Sequence, residues 1–297
     1  MIQITGASGF VGTNLKEYLK DTYEINPMSI RFMKNQDIVL EGGTIIHLAG
    51  KAHDLKKVSN PVDYYEANFE LTKQLFDAFL PSKASTFIFM STVKAVADEV
   101  EGILTEEVIP NPKTHYGIAK RQAEEYILNK EIPTGKRVYI LRPCIIHGPG
   151  NKGNLNLLYQ LVSKGLPWPL GGFHNQRSFL SIENLCFVIK ELLENESIPS
   201  GIYQVADDQA LSTNELIQLL GVGMTKKSTV LKIAPSWVKG LAGLGDYLHL
   251  PINSERLRKL TEDYVVSNVK AVTAIGKSLP VSSREGLLKT FASFKQK

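Results

Sequence analysis

The sequence predicts an α/β protein built on a doubly wound parallel sheet, and three observations carry that expectation. Short apolar runs alternate with helical patterns through about residue 150, the layout of a parallel sheet covered by helices on both faces. The first run, Ile2–Thr5, passes at once into Gly6-Ala7-Ser8-Gly9-Phe10-Val11-Gly12 and then into a helical pattern. The chain's 297 residues, 43% of them hydrophobic, suffice for one large α/β domain or for a sheet domain with a smaller lobe.

Each element follows from its local pattern. Val11, Leu15, Tyr18 and Leu19 fall at i, i+4, i+7 and i+8, which predicts a helix after the glycine turn. Thr44–Leu48, Thr86–Ser91 and Val138–Arg142 read as further strands. Asp63–Phe79 reads as a helix with Tyr65, Asn68, Thr72, Leu75, Phe76 and Phe79 on roughly one side. A second helix carries Tyr116, Ala119, Ala123, Tyr126 and Ile127 and ends near Lys130. Residues 150–181, rich in Gly, Asn and Pro, read as long loops around a ligand. Ser212-Thr213-Asn214-Glu215 has the pattern of a capping box opening a helix through Leu220. The stretch 222–262 reads as helical, and no internal repeat interrupts the chain.

The glycine turn has a chemical reading. Gly6 permits a tight turn, Gly9 lets the backbone approach a pyrophosphate, and Gly12 lets helix and strand pack closely. The helix N-terminus then presents free N–H groups and the positive dipole end to phosphates. A dinucleotide is the expected ligand. In Tyr116-Gly117-Ile118-Ala119-Lys120, phenol and ammonium stand four residues apart on one helix face. A neighbouring cation favours a phenolate, so this pair could move a proton at an alcohol or carbonyl oxygen near neutral pH. Only a hydride carrier makes it catalytic, and the glycine turn points to one.

Composition excludes several classes. The net charge of +4 is scattered, with no Lys/Arg block of the kind that binds nucleic acid or a membrane. Cys144 and Cys186 are too few for a disulfide framework or a zinc site, and no metal is expected. The sequence opens on a strand without a basic, apolar leader, and no apolar run approaches the roughly 18 residues of a membrane span. The expected protein is soluble and cytoplasmic.

Thr5–Gly12, Ile46-His47-Leu48-Ala49-Gly50, Phe89-Met90-Ser91-Thr92, Tyr116 with Lys120, Leu141-Arg142-Pro143 with His147–Gly150, and Arg177-Ser178-Phe179 occur in the order and spacing of one family. Over about residues 1–185 the chain resembles the extended short-chain dehydrogenase/reductases, often labelled NAD-dependent epimerase/dehydratase. The resemblance implies a Rossmann doubly wound sheet with a smaller C-terminal substrate-binding lobe. It divides the chain into a NAD(P)-binding domain, 1–165, to which later segments return, and a mainly substrate-binding lobe, 166–297. Within the family, Ala49-Gly50-Lys51-Ala52-His53 and Gly153-Asn154 through Gly165-Leu166-Pro167 are similar to 4-keto reductases that make UDP-N-acetylquinovosamine and to 4-epimerase-like relatives of surface-polysaccharide synthesis.

The resemblance implies roles residue by residue. Tyr116 is the expected acid/base; Lys120 holds the cofactor ribose and lowers the tyrosine pKa; Thr92 hydrogen-bonds the reacting sugar oxygen. Gly6, Gly9, Phe10, Val11, Gly12, Leu48, Ala49, Tyr116, Lys120 and Pro143 are the expected cofactor contacts. Arg177 and Asn154 are the expected diphosphate ligands, with Arg256 or Arg258 as further candidates. Asn68 braces the active-site backbone, and His47 reads as a satisfied structural histidine. A homodimer through the helices Asp63–Phe79 and Tyr116–Lys130 is implied too.

Two departures narrow the chemistry. Sugar 4,6-dehydratases of the family follow the catalytic threonine with Asp-Glu, whereas Thr92 is followed by Val93-Lys94, so elimination is not expected. Cys144 and His147 do not stand where the family's cysteine/histidine acid–base pair is drawn from, and Cys144 reads as packing. The expected activity is hydride exchange at C4 of a UDP-linked sugar, with reduction of a UDP-4-keto-6-deoxy-HexNAc favoured and 4-epimerisation of UDP-glucose or UDP-GlcNAc as the alternative. A dinucleotide-binding regulator without turnover is a third reading. The stretch Tyr23–Arg31 ends without an acid for a ribose 2′-OH, and Arg31 suits a 2′-phosphate, which favours NADP while leaving NAD in play.

Overall fold

The computed structural model describes residues 1–52, 60–151, 155–226, 228–247 and 253–294. The chain opens with β1 (Ile2–Thr5), α1 (Phe10–Leu19), β2 (Ile25–Met28) and β3 (Thr44–His47). One long helical stretch follows in three parts: α2 (Pro61–Tyr65), a π turn over Glu66–Glu70, and α3 (Leu71–Phe79). Next come β4 (Thr86–Met90), a short 3₁₀ turn at Val93–Ala95, β5 (Ile103–Leu104), α4 (His115–Leu128), β6 (Arg137–Pro143) and β7 (Ile145–His147). The second half contributes α5 (Leu155–Ser163), β8 (Phe179–Ser181), α6 (Ile182–Glu194), β9 (Gly201–Val205) and α7 (Thr213–Met224). It closes with α8 (Pro235–Tyr247), α9 (Ser254–Thr261), β10 (Val265–Val266), α10 (Val269–Ile275) and α11 (Ser283–Ser293).

Six strands form a parallel sheet in the order β2-β1-β3-β4-β6-β9. The chain leaves β1 for β2 on one side and returns to β3 on the other. The strand order therefore reverses at β1, and ligands bind such sheets in the crevice beyond the carboxyl ends at that reversal. The doubly wound α/β fold predicted from sequence is present.

The sheet is buried on both faces, and the period-2 alternation of its strands divides the apolar residues between two cores. Ile2, Ile4, Ile46, Ile88 and Leu141 meet Leu15 and Leu19 of α1, Leu185 and Ile189 of α6, and Ala271 and Ile275 of α10. Ile45, Phe87, Phe89, Val138 and Ile140 meet Leu75, Phe76 and Phe79 of α3 and Ala123 and Ile127 of α4. A third core joins Leu155, Leu158 and Val162 of α5 to Leu216 and Leu220 of α7, Leu257 of α9, and Leu287 and Phe291 of α11.

Several local expectations are corrected. Tyr18 is exposed, because α1 buries only the narrower stripe of Gly12, Leu15 and Leu19. The supposed loop 150–181 contains α5, whose Leu155, Leu158 and Val162 recur at helical spacing and are buried. Within 222–262, the segment after α7 is extended: Trp168 bridges to Val230 and Leu170 to Lys232 before α8 begins. Beyond residue 165, α6, β9 and α10 lie in the sheet's core, whereas α5, just before it, lies in the third core. The short β2–β3 connection is pinned by the Gln3 side-chain carbonyl, which accepts from the N–H groups of Glu41 and Gly42, both at 2.9 Å.

Candidate active site

The glycine turn lies at the reversal of strand order. Gly6 has φ +67°, and an added Cβ would come within 2.7 Å of the Ala49 nitrogen, so the turn sits directly on the loop leaving β3. A Cβ on Gly12 would lie 2.5 Å from the Gly6 carbonyl oxygen, which ties α1 to β1. Helix α1 begins after Gly9 with no side-chain cap and no acid in its first turn. Its leading N–H groups and dipole are therefore available to an anion. A dinucleotide pyrophosphate fits this cradle, with Gly6, Gly9, Phe10, Val11 and Gly12 around it. Arg31 is exposed three residues beyond the end of β2.

A directional hydrogen-bond chain stiffens the facing loop. The Ala49 N–H donates to Thr5 Oγ1 at 3.1 Å, and the Thr5 hydroxyl lies 2.7 Å from His47 Nδ1. On the other side His47 Nε2 lies 2.9 Å from Thr72 Oγ1, whose hydroxyl donates to the Asn68 carbonyl at 2.9 Å. Because Thr72 spends its proton on Asn68, His47 carries its own on Nε2 and accepts at Nδ1. His47 is fully buried, and desolvation, with a smaller contribution from the Lys120 charge, lowers its pKa to about 3. It is a neutral structural histidine.

Asn68 sits in the π turn, a feature frequent at functional sites. Its side-chain oxygen accepts from the Lys51 N–H at 3.1 Å, while its amide donates to the Lys51 carbonyl at 3.1 Å and to Tyr64 at 2.9 Å. The expected bracing of the active-site backbone is thereby visible as a two-way clamp on Lys51.

Tyr116 and Thr92 are brought together by two N-terminal turns. Thr114 caps α4 by accepting from the Gly117 N–H at 3.2 Å, and Thr92 caps the 3₁₀ turn by accepting from the Lys94 N–H at 3.2 Å. Gly117 is where the two turns touch, since a Cβ there would collide with the Lys94 carbonyl. Thr92 lies close enough to Tyr116 for its side chain to pull the phenol pKa downward. One lone pair of Thr92 accepts from the Lys94 N–H, which leaves its proton and a second lone pair for the phenol oxygen or a substrate oxygen.

The expected depression of the tyrosine pKa by Lys120 is not what the geometry yields. Desolvation raises the half-buried Tyr116 phenol to about 12, opposed by the Thr92 side chain. Lys120 points elsewhere: its ammonium donates to the Met90 carbonyl at 2.8 Å and lies 4.6 Å from the centre of the Phe89 ring. Burial lowers its own pKa to about 7, against the pull of Glu124. Gly50 leaves the ammonium room, for a Cβ there would stand 3.2 Å from Lys120 Nζ.

Behind the site lies a pair formed by tertiary contact. Glu124 and Arg142 are both fully buried and form a fork, Nε to Oε1 at 2.9 Å and Nη2 to Oε2 at 2.6 Å. Ser91, the residue before Thr92, donates to the same carboxylate. The carboxylate thus ties α4 to β4 and β6, beneath Tyr116 and Thr92. Only its position one turn after Lys120 could have flagged it.

Arg177 and Tyr264 form the other wall. Arg177 bridges to Leu211 and Tyr264 through the backbone, and its guanidinium donates to the Lys259 carbonyl in the last turn of α9. Its Nε is buried without a partner among the described residues, and desolvation lowers its pKa. The ammonium of Lys94, two residues after Thr92, donates to the Asp98 carbonyl at 2.7 Å and lies 4.4 Å from the centre of the Tyr264 ring. Desolvation lowers the Lys94 pKa, and the Arg177 charge adds to that. Arg177 and Lys94 therefore share one region beside Thr92, with Asp98 and Glu262 raising the Lys94 pKa against that effect. Lys94 and Tyr264 escaped the sequence reading because they meet only through β10.

The remaining candidates divide. Leu48 and Ala49 are half-buried beside the glycine turn, and Pro143 ends β6 opposite Val205. Arg258 pairs with Glu99. Asn154, Gly153 and His53 lie outside the described residues. Cys144 is buried with its thiol pushed well up by desolvation, and Cys186 is raised to about 12. His147 is buried between Thr290, 2.9 Å away, and Asp207, 3.4 Å away. No cluster of metal-ligating side chains occurs among the described residues.

Residues 2–206 match the family described as NAD dependent epimerase/dehydratase. The chain belongs to that family. It is 30% identical to the UDP-glucose 4-epimerase of Vibrio cholerae over 99% of this chain and 95% of that one. It is 28% identical to the N-acetyl-alpha-D-glucosaminyl-diphospho-ditrans,octacis-undecaprenol 4-epimerase of Escherichia coli O157:H7, over 91% of this chain and 83% of that protein. Its fold is that of UDP-glucuronic acid 4-epimerase from Bacillus cereus in complex with NAD, with a TM-score of 0.74, 21% identity and coverage of 99% and 98%. Family membership makes the chain an NAD-dependent sugar epimerase or reductase in broad class.

Proposed function

We propose that the chain exchanges hydride at C4 of a diphosphate-linked sugar and works as a 4-epimerase on a UDP-sugar. The observation that carries this reading is the juxtaposition of Thr92 and Tyr116 just beyond the carboxyl end of β4 in the parallel sheet. NAD or NADP, when bound, supplies the hydride acceptor and donor. Tyr116 takes the proton from the C4 hydroxyl and returns it, and Thr92 donates to the same oxygen and holds it in line. Lys120 orients the cofactor ribose, with Gly50 leaving it space. Arg177, aided by Asn154, grips the diphosphate. The positions where a dehydratase carries Asp-Glu are occupied by Val93, which has no proton to transfer, and Lys94, held on the Asp98 carbonyl, which disfavours elimination. Similarity to a UDP-glucose 4-epimerase over nearly the whole chain supports the choice of epimerisation.

A second reading, reduction of a UDP-4-keto-6-deoxy-HexNAc, is favoured by one feature. Arg31 in place of an acid after β2 suits NADPH, a stoichiometric reductant. Similarity to an undecaprenol-diphosphate-linked GlcNAc epimerase adds a lipid-linked sugar to the candidate substrates. The proposed assembly is a cytoplasmic homodimer through the outer faces of α2, α3 and α4, where Val62 and Leu128 are exposed.

The test offers the purified protein UDP-glucose and UDP-GlcNAc with catalytic NAD, and separately the 4-keto sugar with NADH or NADPH. Interconversion of gluco and galacto sugars without net redox supports the epimerase. Consumption of reduced cofactor only with the keto sugar replaces it by the reductase. No turnover in either arm overturns both.

A further inference from the structure

Helix α8 presents three different sides. Val238, Ala242 and Gly245 are buried against the lobe, and Lys239 and Asp246 form a polar side. Trp237, Leu241 and Leu244, at i, i+4 and i+7, point outward with 75, 63 and 58% of their surface exposed, and Tyr247 follows at 82%. Leu231 and Ile233, in the segment entering the helix, are exposed as well. Single exposed apolar residues are ordinary, but a contiguous patch marks an interaction surface. The groove along it is lined by Ser236, Trp237, Gly240, Leu241 and Leu244. A Cβ on Gly240 or Gly243 would meet nothing within 4 Å. No neighbour within the chain requires glycine there, although glycine disfavours a helix relative to alanine.

We propose that this outer face of α8 docks on an anionic phospholipid bilayer, lying in the interface without spanning it. Tryptophan, leucine and tyrosine on one side with lysine beside them is the composition of interfacial helices. Lys232 stands between Leu231 and Ile233, and Lys239 lies on α8 itself, whereas the helix's acid, Asp246, is engaged with the Ser254 N–H at 3.0 Å. Lys239 offsets Asp246 on the polar side, so the charge standing within the patch itself is that of Lys232, which is positive and suits an anionic surface. A second copy of the chain fits less well, because one strip of a 13-residue helix falls short of the about 800 Å² per partner of a standard interface. Among the described residues no helix is long and apolar enough to cross a membrane, so the attachment is peripheral. Helix α8 packs on α9, whose last turn receives Arg177. Docking would thus hold the diphosphate-binding lobe at the lipid surface. Binding itself does not rest on the proposed C4 chemistry; only the nature of the sugar presented there does.

The test is flotation of the full chain with vesicles of phosphatidylcholine alone and of phosphatidylcholine with phosphatidylglycerol. The wild type should float with the anionic vesicles and be released by high salt. Trp168 is buried and Trp237 exposed, at 3 and 75%, so a blue shift of tryptophan emission on vesicle addition reports α8. The triple variant Trp237→Ser, Leu241→Ser, Leu244→Ser, verified as folded by circular dichroism, should lose at least tenfold in partitioning and keep its turnover of soluble sugar nucleotides. Failure of the wild type to float, or equal flotation of the triple variant, overturns the proposal. So does a wild-type oligomer, seen by sedimentation without vesicle binding, that the triple variant loses. Flotation without turnover of any sugar would leave docking standing and remove the C4 reading alone.

Discussion

The ammonium of Lys120 donates to the carbonyl oxygen of Met90 at 2.8 Å. The catalytic helix is thereby tied to the strand that carries Thr92 two positions later. This bond holds a lysine in a buried site where its pKa falls to about 7, and the cost is measurable. Unfolded, the same lysine titrates near 10.4. Between those values the unfolded chain binds more protons, so stability rises with pH. The penalty is full below pH 7 and fades as pH climbs toward 10. Lys120→Met should raise the unfolding free energy by a few kcal/mol at pH 6, with little gain left at pH 10. Urea titrations at the two pH values check this, and a pH-independent difference would contradict it.

Thr92 and Tyr116 should separate by chemistry. Tyr116→Phe removes the transferable proton and should lower kcat by about 10²–10⁴-fold while cofactor affinity stays within twofold or so. Thr92→Val should lose about tenfold or more, and Thr92→Ser should recover most of it because the donor returns. Steady-state kinetics on whichever sugar the turnover assay selects, with cofactor titrations alongside, provide the comparison.

The three glycines of the first turn are not equivalent. A Cβ on Gly9 meets only the Gly6 carbonyl at 3.2 Å, whereas one on Gly12 comes within 2.6 Å of the Ala7 Cα. Gly9→Ala should therefore keep its melting temperature and bind cofactor at least about tenfold more weakly, since its cost falls on the ligand's approach. Gly12→Ala should be destabilised by about 1–3 kcal/mol. Thermal melts and cofactor fluorescence titrations distinguish the two.

Arg31 offers a test of cofactor choice. Arg31→Ala should weaken NADPH by roughly tenfold, the scale of one charge-assisted bond, and leave NADH nearly unchanged. Equal losses for both would mean that the guanidinium does not meet a 2′-phosphate.

Much of the site was legible because it is local. Gly6 through Gly12 and Tyr116 with Lys120 are contiguous or one helical turn apart, so period and turn chemistry reveal them. β1, β3, β4 and β6 were legible because each is an apolar run bounded by turns, whereas the edge strand β9 at Gly201–Val205 was missed. What escaped was set by tertiary contact. Lys94 and Arg177 come together through Tyr264, and Glu124 meets Arg142 across the gap between helix and sheet. The π turn at Asn68 left the helical period of Asp63–Phe79 intact enough to hide it. Helix α5 was masked by the Gly-Asn-Pro composition flanking it. The direction of the Tyr116 pKa shift failed for a physical reason: adjacency on a helix does not say where a long lysine points.

The His47 chain has one further consequence. Every proton in it is already committed, from the Ala49 N–H through Thr5, the imidazole and Thr72 to the Asn68 carbonyl. The chain has no vacancy through which a proton could hop, and an imidazole lowered to about 3 cannot create one at neutral pH. The fold has placed its most versatile acid–base group beside the redox crevice and rendered it inert. Under the proposed C4 chemistry, proton traffic would thereby be left to Tyr116, with the same relay serving as insulation around the reacting carbon.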